Sequence, residues 1–127
     1  MTGRRILLAE DDRFLRKAAE VRLRRAGHVV VTAADGEEAL AVARSTPVDL
    51  ILLDLIMPKV QGFEVLRALK ADPATRDVPV IVMTNLSQDL DREQALRCGA
   101  AGYLVKANLS LDAVVAEVAR ALPEVVG

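Results

Sequence analysis

Two apolar runs in this chain end in acids. Val48-Asp49-Leu50-Ile51-Leu52-Leu53 closes on Asp54, and Ile6-Leu7-Leu8-Ala9 spills into Glu10, Asp11 and Asp12. Two further runs, Val80-Ile81-Val82-Met83 and Gly102-Tyr103-Leu104-Val105, end in Thr84 and Lys106. If these runs are parallel strands, one edge of the sheet gathers carboxylates, a hydroxyl and an ammonium. Crowded carboxylates repel, so ionising Asp11, Asp12 and Asp54 together is costly unless a cation shares the pocket. Mg2+ (or Mn2+) suits them, since such ions take oxygen donors and need only one or two protein carboxylates beside a phosphate oxygen. An aspartate can also attack phosphorus to give an aspartyl-phosphate. That transfer needs chiefly positioning and charge neutralisation, which a metal and a lysine supply.

Each residue also has a plainer reading. One of Asp11 and Asp12 could simply cap a helix, Asp54 could be a turn residue, and Lys106 a solvated surface lysine. Thr84 alone fits any strand end. The combination carries the argument, because all of these residues close runs of the same kind.

The elements that must bring them together are legible in the hydrophobic pattern. Runs at 4–9, 28–33, 48–53, 78–83 and 101–105 are rich in Val, Ile and Leu without polar alternation, as strands buried on both faces of a parallel sheet are. Amphipathic stretches at 12–26, 36–45, 62–71, 88–98 and 110–122 predict five helices. Ser110 is placed to cap the last, Asp35 and Glu38 have capping-box spacing, and Gly27 and Gly99 fall where the first and fourth helices should stop. The fourth helix has few apolar positions (Leu90, Ala95, Leu96, Cys98) and is expected to be the least firmly held. Five βα units imply an α/β doubly wound sheet with helices on both faces. The common order for five strands, 2-1-3-4-5, makes the first and third central neighbours and puts a ligand site beyond their C-terminal ends.

Composition bounds the rest. The 127 residues suit one domain, expected over 1–127 with a core at about 4–122. Hydrophobic residues are 52% and charged residues 28%, outside the disordered class. A net charge of −1 gives no basic field for direct nucleic-acid or membrane binding. The lone Cys98 excludes an internal disulfide and is expected to be buried and reduced. No signal peptide or membrane span is legible, so a cytoplasmic location is expected.

Across about Arg4 to Leu122 the chain resembles a two-component response-regulator receiver domain (CheY-like). The segments that carry the resemblance are Ile6-Leu7-Leu8-Ala9-Glu10-Asp11-Asp12, Asp35-Gly36-Glu37-Glu38-Ala39-Leu40, Asp54-Leu55-Ile56-Met57-Pro58 with Gly62, Val82-Met83-Thr84, and Gly99-Ala100-Ala101-Gly102-Tyr103-Leu104-Val105-Lys106. The resemblance implies that Asp54 is the phospho-acceptor. Asp11, Asp12, Asp54 and the backbone carbonyl of Ile56 then hold the metal, and Lys106 and Thr84 contact the phosphoryl group. Thr84 and Tyr103 form the switch. It further implies a signalling switch and not an enzyme, one that catalyses only its own phosphotransfer and slow self-dephosphorylation. The implied donor is a sensor histidine kinase or histidine phosphotransfer domain. The implied target is a downstream protein or output domain, reached through the face of the fourth helix, fifth strand and fifth helix, where a homodimer could also form. No output domain is expected here, because Pro123–Gly127 close the chain soon after the fifth helix.

Three positions depart from the family pattern. Ala107 stands where a cis proline commonly follows the lysine, so the Lys106–Ala107 bond is expected to be either trans in a remodelled loop or strained cis. Asn85 is larger than the usual small residue beside Thr84. Ile56 and Leu86 flank the expected path of the attacking water and can neither orient nor deprotonate it, which predicts a long-lived phosphoryl group. Arg13, Arg16, Lys17, Arg22, Arg24 and Arg25 make the first helix basic, either as a solvated face or as a dock for an acidic partner. A dehalogenase-like phosphatase would need an acid where Ile56 stands, and a flavin carrier would need more than 2% aromatics. The remaining alternative is a non-phosphorylated interaction module.

Overall fold

A computed structural model describes residues 4–86 and 88–122; the closing segment 123–127 and its bearing on an output domain lie outside the described residues. Five strands, β1 (Arg5–Ala9), β2 (Val29–Ala33), β3 (Leu50–Leu53), β4 (Val80–Thr84) and β5 (Gly102–Val105), alternate with five helices, α1 (Arg13–Arg25), α2 (Gly36–Ser45), α3 (Gly62–Ala71), α4 (Asp89–Arg97) and α5 (Leu111–Ala121). All strand pairs are parallel and the order is β2-β1-β3-β4-β5, as expected.

Alternation along the central strands sorts the core into two layers. Leu7, Ala9, Ile51, Leu53, Val80 and Val82 pack with Ala39, Leu66 and Ala95 of α2, α3 and α4. Ile6, Leu8, Leu50, Leu52, Ile81 and Met83 pack with Ala19 and Leu23 of α1 and Val114 and Val118 of α5. Every residue from Ile6 to Ala9 and from Leu50 to Leu53 is sealed from solvent. Both faces of β1 and β3 are covered by helices, which is why they read as unbroken apolar runs.

The helix ends follow their capping residues. Asp12 caps α1, accepting from the amides of Phe14 (2.9 Å) and Leu15 (3.0 Å). Asp35 accepts from the Glu38 amide at 2.8 Å, and Glu38 reaches back to the Ala34 amide at 2.6 Å. Ser110 caps α5 through the Ala113 amide. Gly27 and Gly99 both take the left-handed conformation after α1 and α4.

Three expectations are refined. Thr84 is the last residue of β4 and not the first beyond it. Cys98, expected to be buried, is half-buried at the end of α4. The Lys106–Ala107 bond is trans, and the chain continues as a single 3-10 turn over Lys106–Asn108. Among the described residues no helix is long and apolar enough to cross a membrane.

Candidate functional site

Register decides which residues meet at the C-terminal edge. Ala9 of β1 lies opposite Leu53 of β3, so Glu10 and Asp54 leave the sheet side by side. The Asp54 amide donates to Ala9 O at 3.0 Å and the Glu10 amide to Ala33 O at 2.9 Å, which fixes both backbones. On the other flank Thr84 pairs with Val105, so Lys106 follows just beyond β5. The chain from β1 crosses toward β2 and that from β3 toward β4, opening the crevice where such sheets bind ligands. A cavity of about 320 Å³ lies there, lined by Glu10, Asp11, Asp12, Asp54, Ile56, Asn85 and Lys106.

Glu10 is 0% and Asp54 2% exposed. Lys106 reaches across the sheet edge to donate to Asp54 Oδ2 at 2.7 Å. Its Nζ also pairs with Glu10 Oε1 at 2.6 Å. Glu10 Oε2 accepts from the Asp12 amide at 3.0 Å, and Asp54 Oδ1 from the Ile56 amide at 3.0 Å. The last contact turns the loop after β3 back over the site. Gly62 holds that loop closed: its amide donates to Leu55 O at 3.1 Å, and any side chain there would run into the Leu55 backbone.

Burial sets the electrostatics. It pushes the Glu10 carboxyl above its ordinary range, although Lys106 and the Asp12 amide pull it down. Burial also works against the Lys106 ammonium, but its hydrogen bonds to Asp54 and Glu10 and their charges outweigh burial and hold its pKa above the ordinary value. Four carboxylates line the cavity against one ammonium. That excess of negative charge favours a further cation.

The donor set fits a hard divalent ion. One carboxylate oxygen from each of Glu10, Asp11 and Asp54 lies within 4.8 Å of the others. Of the four residues expected to hold metal, the structure brings Asp11 and Asp54 into this cluster and puts Ile56 at its rim. Asp12 lines the same cavity with its Oδ1 engaged in capping α1, and Glu10, not among the four, joins the cluster. The sequence does not single out Glu10, because three acids in a row leave open where the strand stops. The cap preference for Asp next to a helical pattern was the signal that Asp12 belongs to α1.

The residues expected to switch lie beside the cavity. Thr84 is fully buried, and its Oγ1 is 3.4 Å from the Leu86 amide. The half-buried Tyr103 donates its hydroxyl to Leu86 O at 2.6 Å, a link from β5 to the loop after β4 that no sequence signal announced. Burial raises the Tyr103 phenol above its usual value, and the Asp91 charge adds to this. Asn85 is exposed at the mouth of the cavity.

Comparison with known proteins agrees with this arrangement. Residues 6–119 match the family model described as the response regulator receiver domain. The chain is 43% identical over 101 residues to the transcriptional regulatory protein AfsQ1 of Streptomyces coelicolor, covering 80% of this chain and 44% of that one. It spans less than half the length of the curated relatives it matches. Among solved structures it superposes on the chemotaxis response regulator CheY4 of Vibrio cholerae with a TM-score of 0.89, at 30% identity over 95% of this chain and 100% of that one. The receiver domain of the Pseudomonas aeruginosa sensor kinase PA1611, solved with magnesium in its active-site cleft, gives a TM-score of 0.84 at 32% identity, covering 94% and 97% of the two chains.

Proposed function

This chain belongs to the response-regulator receiver domain family, and on that premise we propose that Asp54 accepts a phosphoryl group from a phosphohistidine. The observation that carries the reading is the buried Asp54 carboxylate, bridged to Glu10 by the Lys106 ammonium in an acidic cavity. Such domains are signalling switches that exchange signals with histidine kinases and output partners. The kinase or phosphotransfer domain, the downstream target and any homodimer of this chain are part of the proposal, as is a single receiver domain over 1–127.

Glu10, Asp11 and Asp54, with the Ile56 carbonyl, would hold Mg2+ or Mn2+, which when bound neutralises the oxygens of the incoming phosphoryl group. An Asp54 oxygen attacks phosphorus as the nitrogen–phosphorus bond of the donor breaks. Lys106, already hydrogen-bonded to Asp54, stabilises the charge delivered there. The new dianionic group also offers an acceptor to the Thr84 hydroxyl, one strand away. Rotation of Thr84 toward it would release the loop that Tyr103 grips through Leu86 O, and so bias α4 and β5. Ile56 and Leu86, apolar on either side of the site, give a long-lived phosphoryl group. The face of α4, β5 and α5 is the output surface.

Intact mass after incubation with magnesium and acetyl phosphate tests this reading. The expected result is one phosphoryl adduct, stable in acid and labile in base, absent from Asp54→Asn. Its decay should quicken when Ile56→Asn and Leu86→Glu are combined. Failure to form an adduct from either acetyl phosphate or a phosphorylated phosphotransfer domain would favour the non-phosphorylated interaction module.

A further inference from the structure

Arg16 is one of six basic residues on α1, yet it does not simply face solvent. Half-buried, it turns back along the helix, and one guanidinium nitrogen donates to Glu10 O at 2.8 Å and lies 3.3 Å from Asp11 O. These are the backbone carbonyls of two of the three residues whose carboxylates cluster. Among the described residues no backbone amide reaches either carbonyl. Beyond the Glu10 amide, which is tied to β2, the turn from β1 into α1 is held by the Asp12 cap, the Asp12 amide on Glu10 Oε2, the Arg16 amide on Asp12 O, and the Arg16 guanidinium. Arg13, in the same turn of the helix, is exposed and makes no such contact.

We propose that Arg16 is a positioning residue for the divalent site, holding the Glu10-Asp11 turn so that both carboxylates face Asp54. The inference rests on the metal-dependent receiver reading above. Charge alone would make the opposite prediction. A guanidinium near a cation site repels the cation, so its removal should tighten binding. Loss of an outer contact that orients the ligands weakens it instead. The sign of the effect therefore separates positioning from simple electrostatics. Lysine keeps the charge but lacks the planar fork of donors, so it restores only part of the function.

The test is Mg2+ titration by calorimetry of the whole chain and of Arg16→Met, Arg16→Lys and Arg13→Met, each checked for an unchanged melting temperature. Arg16→Met should bind about tenfold more weakly, Arg16→Lys should fall between it and the parent, and Arg13→Met should equal the parent or bind slightly tighter. In the metal-free state the Asp12 amide resonance should move in Arg16→Met and stay in Arg13→Met. Equal or tighter Mg2+ binding by Arg16→Met, or equal weakening by Arg13→Met, would overturn the positioning role while leaving the receiver reading intact. A parent that binds no Mg2+ would overturn the metal site, and the role of Arg16 with it.

Discussion

The C-terminal ends of β1 and β3 and the flank made by α4 and β5 meet at Thr84 and Lys106, and they are built differently. At the first, Glu10, Asp54 and every residue of the strands behind them except Arg5 is sealed, and each carboxylate is held by named donors. Along the second, only Ala95 of α4 is fully buried, Leu90 is 74% exposed, and the N-cap residue Gln88 makes no side-chain capping bond. All four residues of β5 are only partly buried. The contrast teaches where a switch of this kind stores rigidity and where it stores freedom. Phosphoryl chemistry needs its oxygens fixed to within a fraction of an ångström. A reporter must have two arrangements of similar free energy, which a sparsely packed helix supplies.

The most damaging change to the rigid side should be Lys106→Met. It would strip two buried carboxylates of their counter-charge and should cost about 4 kcal/mol in urea unfolding at pH 7. Burial already holds the Glu10 carboxyl above its ordinary value of 4.5 in the folded chain. For such a group the contribution to stability is complete below 4.5 and is lost as pH rises through the folded value. The Lys106→Met deficit should therefore shrink as pH falls toward 4.5. A loss under about 1 kcal/mol would mean that water screens the acids, and the contrast with the flank would fail.

Packing gives the next test. Leu52→Ala should cost about 3 kcal/mol, because β3 is enclosed on both faces and cannot collapse around the lost atoms. Leu90→Ala should change stability by less than about 0.5 kcal/mol. Comparable losses at the two sites would erase the distinction between the regions.

Sequence patterns alone locate this division in part. β1, β3 and β4 are continuous apolar runs, so a central parallel sheet could be read directly, and the scarcity of apolar residues in 88–98 announced the loosely held helix. The strand-end rule also brought Asp11 and Asp54 together. It could not choose Glu10 over Asp12, because that choice depends on the Ala9–Leu53 register and on α1 starting at Arg13. Nor could it distinguish Arg16 from Arg13, three residues apart on one basic helix. Only the direction in which the side chain folds back separates them. The Tyr103–Leu86 contact was equally hidden, since a side chain reaching a backbone carbonyl leaves no mark in residue type.

The smallest expected effect sharpens the comparison spectroscopically. Tyr103 is the only tyrosine and there is no tryptophan, so phenolate absorbance reports this one residue. Its titration midpoint should lie above 10.0, raised first by burial. The neutral phenol thus contributes stability that is complete below pH 10.0 and is lost as pH rises through the folded value. An unshifted midpoint would show the flank to be more open than its contacts imply.

Amide hydrogen exchange of the whole chain, measured with magnesium before and after adding beryllium fluoride as a phosphoryl mimic, addresses the central claim most directly. The account predicts that exchange changes in the loop around Leu86, in α4 and in β5, while the amides of β1 and β3 keep their protection. Changes spread evenly over the sheet, or changes confined to the acid-bearing turns with α4 and β5 unmoved, would contradict it.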